Sequence, residues 1–138
     1  MSAASNYLEN KLLDHVLTAT SFTQPSRYLA LFTNTSGSAA ANLEAGTLTD
    51  EVSTSGTAYA RQAITFAAAS GGSSSSNATV TFPTATANFG TITHVAIMDS
   101  DVEGSGNVLF YGAVTTAKTI ETGDTFQVSS GNLTISLA

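Results

Sequence analysis

Three acidic side chains within five residues form the motif whose spacing is closest to that of a metal site. Asp99, Asp101 and Glu103 occupy the first, third and fifth positions of a segment whose sixth residue is Gly104. Carboxylates in this pattern begin the calcium-binding loop of an EF-hand, which ends in a bidentate Glu at position twelve. That position is Phe110 here. We therefore predict a solvated acidic turn between two strands, with loose calcium binding as the alternative.

Catalytic chemistry has few candidates in this chain. His15 and His94 are the two histidines and the chain has no Cys, so the residue clusters of a zinc site are missing. Serines are abundant, but no Gly-x-Ser-x-Gly nucleophile elbow and no Gly-rich phosphate loop occurs. We interpret both histidines as structural and predict no cofactor and no enzymatic activity.

The charges argue against two classes of partner. Four cationic residues stand against ten acidic ones, for a net charge of −6. Lys11, Arg27, Arg61 and Lys118 are far apart, whereas binding to phosphates or to an anionic membrane needs clustered cations. The longest apolar runs are far shorter than a membrane span. We predict no nucleic-acid and no membrane partner. Glu9, Lys11, Asp14 and His15 interrupt any signal-peptide apolar region in residues 1–20, so we also predict synthesis and folding in a cytoplasm.

The composition indicates a folded domain with an unusual surface. Hydrophobic residues make up 42% of the 138 residues, but charged residues only 10%, whereas about 25% is usual. The 18 Ser and 22 Thr supply the missing polarity as uncharged hydroxyls. The length corresponds to one domain, residues 1–138, with enough chain for one core.

The first twenty residues predict a helix over 6–18. Apolar residues recur with helical spacing and form one stripe along it. Asn6 is the expected N-cap, with Glu9 completing a capping-box-like arrangement. The stripe packs either on the chain's own strands or on another subunit, and the sequence does not separate these alternatives. Its candidate interaction residues are Leu8, Leu12, Leu13 and Val16.

From residue 27 onward the pattern is that of strands. Residues 28–33 are apolar on both faces, which predicts a central strand. Residues 34–56 indicate a long loop and residues 68–77 a flexible polar turn. Further predicted strands cover 59–66, 78–82, 92–98, 108–114, 125–128 and 133–137. Short strands joined by Gly-rich turns favour a mainly β fold, an antiparallel β-sandwich or jelly-roll-like domain with one N-terminal α-helix.

Six segments, in order along nearly the whole chain, resemble a family of small virion proteins of tailed bacteriophages. They are SNYLENKLLDH (5–15), YLALFT (28–33), YARQAITF (59–66), GTITHVAI (90–97), NVLFYG (107–112) and LTISL (133–137). Some members of this family are capsid cement proteins and others are labelled tail fibre-like. The resemblance implies a structural virion protein made in the cytoplasm of a bacterial host.

Two functions follow from this resemblance. The first expectation is a capsid decoration protein, a homotrimer on the capsid surface that binds the major capsid protein and cements neighbouring capsomers. The chain favours it because a fibre needs an elongated, repetitive shaft and 138 residues show none. The alternative is a tail fibre or tail tip protein that contributes to receptor or glycan binding.

Overall fold

The computed structural model of the chain describes residues 2–137, in which antiparallel strands predominate. Two helices occur, α1 (Asn6–Leu17) and α2 (Ala39–Ala45). The strands are β1 (Ser2–Ala4), β2 (Tyr28–Phe32), β3 (Gln62–Ala63), β4 (Ser73–Ser75), β5 (Val80–Thr81), β6 (Gly90–Met98), β7 (Val108–Ile120), β8 (Gln127–Val128) and β9 (Thr134–Ser136). The predicted class, mainly β with an N-terminal helix, is confirmed.

A five-stranded sheet forms the centre of the fold, in the order β1-β7-β6-β2-β3. Every neighbouring pair in it is antiparallel. The strand β2 lies between β6 and β3, and four of its five residues are buried. The predicted central strand is confirmed, since a strand that is apolar on both faces needs cover on both.

Both faces of the sheet are covered, by different elements. Leu29, Leu31 and Ile97 belong to the larger core cluster. Val80 of the ribbon β5–β8 is also a member, and Ile135 of the ribbon β4–β9 packs against it. The opposite face forms a smaller cluster closed by Leu43 of α2, with Ala30, Phe32, Ala96, Met98 and Val108. The ribbons and α2 therefore enclose the sheet from its two sides.

A bulge in the β6–β7 hairpin sets where α1 begins. Ile97 pairs with Phe110 and Met98 pairs with Val108, so Leu109 is an extra residue in β7. Both Leu109 and Phe110 contact the larger core, and the Leu109 carbonyl accepts a hydrogen bond from the Ser5 backbone at 3.0 Å. The start of α1 is thereby attached to the middle of the sheet.

The predicted helix is present, but its N-cap is Ser5 rather than Asn6. The fully buried Ser5 side chain accepts from the Leu8 backbone N–H at 3.2 Å and donates to the Val108 carbonyl. A serine oxygen that accepts from the first turn is a usual cap. Because the cap lies one residue earlier, Glu9 does not occupy the capping-box position, and that part of the prediction was wrong.

The predicted loop at 34–56 contains the helix α2. Its sequence, AAANLEA, is rich in alanine, the best helix former, and Gly46 ends it in the left-handed conformation at φ 81°. The loop prediction was therefore wrong for residues 39–45, where Leu43 is buried against the sheet.

Other predicted boundaries also differ. The strand expected at 108–114 extends to Ile120, and those expected at 78–82 and 125–128 are limited to Val80–Thr81 and Gln127–Val128. Of the strand expected at 59–66 only Gln62–Ala63 pairs regularly, because Ala58 has a positive φ of 63° and Tyr59 and Arg61 turn inward. Within the expected polar turn at 68–77, Ser73–Ser75 pairs with Thr134–Ser136. Short ribbons of this kind depend on a distant partner strand, which a local pattern does not reveal.

The buried carboxylate of Asp50 holds the segment before α2 in place. Its oxygens accept hydrogen bonds from the Thr35 hydroxyl and the Ser36 backbone, each at 3.0 Å, and from the Ser36 hydroxyl. Burial by itself would raise the pKa of this carboxyl, but the hydrogen bonds outweigh it and lower the pKa below the ordinary 3.8.

Acid is therefore expected to weaken the fold through Asp50. Because the unfolded carboxyl binds its proton more readily, the stabilisation is present above the ordinary pKa and is lost as the pH falls through the lowered folded-state value. We expect the free energy of unfolding, measured in urea, to fall below about pH 4 and to fall less in Asp50→Asn. The exposed Glu121→Gln is the control. Equal acid dependence of Asp50→Asn and the native chain would contradict this role.

Candidate interaction surface

The predicted apolar stripe on α1 divides into an inner and an outer part. Leu8 is 4% exposed and Leu12 is half-buried, and both pack on the larger core of their own chain. By contrast, Leu13 is 56% exposed, and Val16 and Leu17 are each 74% exposed. We call these last three residues the outer face of α1. Of the two sequence alternatives, packing within the chain holds for the inner part and leaves the outer face uncovered.

The chain that follows α1 folds back toward the helix. Thr18 caps the helix, its hydroxyl donating to the Asp14 carbonyl at 2.6 Å. The Phe22 backbone N–H then donates to Nδ1 of His15 at 3.1 Å. This contact holds Phe22 near the helix, where Phe22, like Leu12, packs against the larger core.

An open apolar groove of about 320 Å³ lies next to α1. Its apolar lining comes from α1, from β7, from the segments around Phe22 and Phe66, and from the end of the chain; it includes Leu8, Leu12, Leu109, Phe110, Ile135 and Leu137. Leu137 is 54% exposed. Because Leu12 and Val16 are one helical turn apart, the groove continues onto the outer face. Together they form one apolar surface.

Carboxylates flank the outer face. Glu9 lies one turn before Leu13 and Asp14 one turn before Leu17, so both are neighbours of the face on the helix surface. The Lys11 ammonium lies 5.7 Å from the centre of the Tyr7 ring. The rim of the outer face is therefore acidic.

The acidic turn is closed by its own hydrogen bonds. Both oxygens of Asp99 accept from Asn107, from its backbone at 2.7 Å and from its side-chain amide at 2.9 Å. Gly106 has φ 83°, and a Cβ there would lie 2.6 Å from that of Ser100. Asp101 is exposed. Across residues 2–137, no three His, Asp or Glu side chains are grouped so as to hold a metal ion.

A buried ion pair, which the sequence pattern did not reveal, fixes the shape of this turn. The Arg61 guanidinium makes two bonds of 2.7 Å to the Glu51 carboxylate, and the two side chains are 0% and 1% exposed. Its third nitrogen donates to the carbonyls of Ser100 and Ser105, at 2.7 and 2.9 Å. The Gly104 backbone donates to Glu51 at 2.9 Å.

Tyr59 completes this network. Its hydroxyl donates to Glu51 at 3.0 Å and accepts from the Leu31 backbone at 3.0 Å, which links the ion pair to the central strand. Burial, together with the Glu51 charge, raises the pKa of the Tyr59 hydroxyl far above its ordinary value, so the hydroxyl keeps its proton. Charge and sequence spacing gave no sign of these contacts.

The two histidines make separate local contacts. His15 accepts from Phe22, as described, and His94 lies on β6 with Nδ1 2.9 Å from the Thr93 hydroxyl. Burial lowers the pKa of His94 and favours its neutral form. Each histidine is thus placed by its immediate neighbours.

Substitutions along α1 are expected to separate the inner part from the outer face. Leu8→Ala removes a buried side chain and should lower the free energy of unfolding by about 2–5 kcal/mol. Leu13→Ala removes an exposed one and should change it by less than about 0.5 kcal/mol. Chemical denaturation of both variants measures this. Equal losses would show that the helix packs differently.

These features describe a small β-rich structural domain with an uncovered apolar surface at its N-terminal helix. Within residues 2–137 there is no helix with the length and apolar character needed to cross a bilayer. The family model described as podophage GP4 fiber I protein gp80 matches residues 3–136, so the chain belongs to this family. A search of the curated proteins finds no match.

The family makes the chain a structural component of a phage virion, as the sequence resemblance implied. Its description names a fibre protein, which favours the tail fibre alternative over the capsid decoration that the sequence analysis put first. A fibre assembled from several different chains needs no shaft in each of them, so the missing shaft in this sequence is compatible with the fibre alternative.

Proposed function

We propose that this chain is a structural subunit of a phage tail fibre assembly. The observation that carries the proposal is the family match, which extends over residues 3–136 and therefore over both helices and every described strand except the first residue of β1. On this proposal the chain is a compact unit of a fibre built from several proteins.

The architecture suits a rigid subunit with an exposed, weakly charged surface. The buried Glu51–Arg61 pair and its bonds to the 99–107 turn hold this surface loop in one conformation. Buried ionic groups favour one conformation over others in some other proteins. The exposed surface is rich in Ser and Thr and poor in charge, so its hydration depends little on salt. Contribution to receptor or glycan binding is part of this proposal, with the exposed Ser and Thr hydroxyls of the surface as its candidate region.

Copy number tests the proposal. Quantitative mass spectrometry of purified virions compares the amount of this chain with that of the major capsid protein. A fibre subunit should be a small fraction of the capsid protein, whereas a copy number close to that of the capsid protein would contradict the proposal and favour decoration. Virions lacking the chain should keep intact, full capsids but adsorb poorly to the host.

Self-association into a homotrimer stays a prediction from the sequence. Light scattering of the purified chain measures its mass directly, and a monomer at all concentrations would contradict it.

A further inference from the structure

The apolar groove and the outer face of α1 together form a surface that residues 2–137 leave uncovered. The groove volume of about 320 Å³ lies at the lower end of the range for ligand pockets, about 300–1,000 Å³. The outer face extends it along the helix by three side chains that are more than half exposed. Exposed apolar area that is continuous in this way marks an interaction site.

The polar groups of the groove argue against a small molecule as its occupant. Small-ligand sites use a few free polar groups to orient the ligand. Here the Ser74 hydroxyl donates to the Ala67 carbonyl at 2.6 Å, and the Ser73 hydroxyl is bonded to that of Ser136 at 2.6 Å. Arg27 donates to the Pro25 carbonyl at 3.0 Å. Among residues 2–137, Arg27 is the one charged side chain in the groove lining and keeps further donors free, whereas the rest of the lining offers mainly apolar contact, which suits a segment of a protein.

The charges around the surface indicate what kind of protein segment would bind there. Glu9 and Asp14 flank the outer face, and the whole chain carries a net charge of −6. A second copy would bring the same carboxylates and only four cations against ten acidic residues; of those cations, Arg61 is buried against Glu51 and Arg27 lines the groove itself. A partner with Lys or Arg beside its apolar residues would instead be complementary.

We infer that this surface binds an apolar segment of another virion protein, and that Lys or Arg residues beside that segment face Glu9 and Asp14. The inference rests on the proposed function, since it supplies the contact that would hold the subunit in the fibre assembly. Apolar burial provides most of the binding, and the carboxylates at the rim select the partner by charge.

The test uses virions assembled without this chain, to which the purified full-length protein is added back and measured by co-sedimentation. The double variant Val16→Ser, Leu17→Ser should bind at least about tenfold more weakly, with an unchanged melting temperature because both side chains are exposed. Val102→Ser is the matched control, since it removes a similarly exposed apolar side chain outside the surface. It should bind as the native chain does.

A charge variant tests the nature of the partner. Asp14→Lys should weaken binding by about three- to tenfold, whereas Asp101→Lys, on the acidic turn, should leave it unchanged. A cation near the end of a helix is compatible with its dipole, so Asp14→Lys should fold normally. Tighter binding by Asp14→Lys would show that the partner is acidic and would overturn the inference.

Two further outcomes would also overturn it. If the Val16→Ser, Leu17→Ser variant bound the virions as tightly as the native chain does, the surface would not be part of the contact. A lower mass of that variant than of the native chain in light scattering would make a second copy the occupant. Neither result would contradict the fibre proposal, which is tested by the copy number and the location of the chain in the virion.

Discussion

Replacing Arg61 by Met is expected to lower the free energy of unfolding by about 3–5 kcal/mol, the usual result of breaking a buried ion pair. The variant leaves the Glu51 carboxylate buried without its cation and the carbonyls of Ser100 and Ser105 without their donor. A buried charge or acceptor without a partner retains its desolvation penalty. Equilibrium denaturation in urea measures the loss.

Two controls show whether the loss comes from the ion pair. Arg27→Met removes a guanidinium that makes one side-chain hydrogen bond, to the Pro25 carbonyl, and should cost less than about 1 kcal/mol. Adding Glu51→Leu to Arg61→Met removes the unpaired charge and should recover part of the stability. A loss under about 1 kcal/mol for Arg61→Met would contradict the network described here.

The second large effect is expected at Phe82. This side chain is 1% exposed, stacks on Tyr59 with ring centres 6.1 Å apart and meets the edge of Phe126 at 5.8 Å. Truncating a buried aromatic side chain leaves a cavity, and Phe82→Ala should cost about 3–5 kcal/mol.

The half-buried Phe66 provides the comparison for this prediction. Phe66→Ala should cost clearly less than Phe82→Ala, because part of that side chain remains in contact with water. The same denaturation measurement applies to both. Equal losses would mean that the ribbon β5–β8 does not close the larger core as described.

The sequence was sufficient to predict the elements whose apolar pattern lies within one continuous segment. The spacing of Leu8, Leu12 and Val16 is enough to identify α1, and the apolar run 28–32 is enough to identify the central strand. The short helix α2 also had a local signal, its alanines and the following Gly46, which the abundance of small residues around it obscured.

Other features depend on contacts between distant parts of the chain. The strand β4 has three residues and is defined by its pairing with β9, about sixty residues later in the chain. Arg61 appeared as an isolated cation, because its bonds to the 99–107 turn reach 39 and 44 residues along the sequence. Spacing rules apply within one element and do not report such pairings.

The candidate surface could be predicted in part. The apolar stripe on α1 contains the helix residues of this surface. Its division into a buried inner part and an exposed outer face depends on where the helix meets the sheet. Leu109, the extra residue of the bulge in β7, binds Ser5 and places the start of α1 on the core. The second half of the helix then extends beyond the packed region, and neither the bulge nor this overhang is visible in the period of the apolar residues.

The location of this chain on the virion decides whether it is a tail fibre subunit. Gold-labelled antibodies against the native protein, applied to intact purified particles, show its position in the electron microscope. We expect gold at the tail and its fibres, with none on particles that lack the chain. Gold distributed evenly over the capsid, with the tail unlabelled, would show that the chain is not a fibre subunit and would favour capsid decoration.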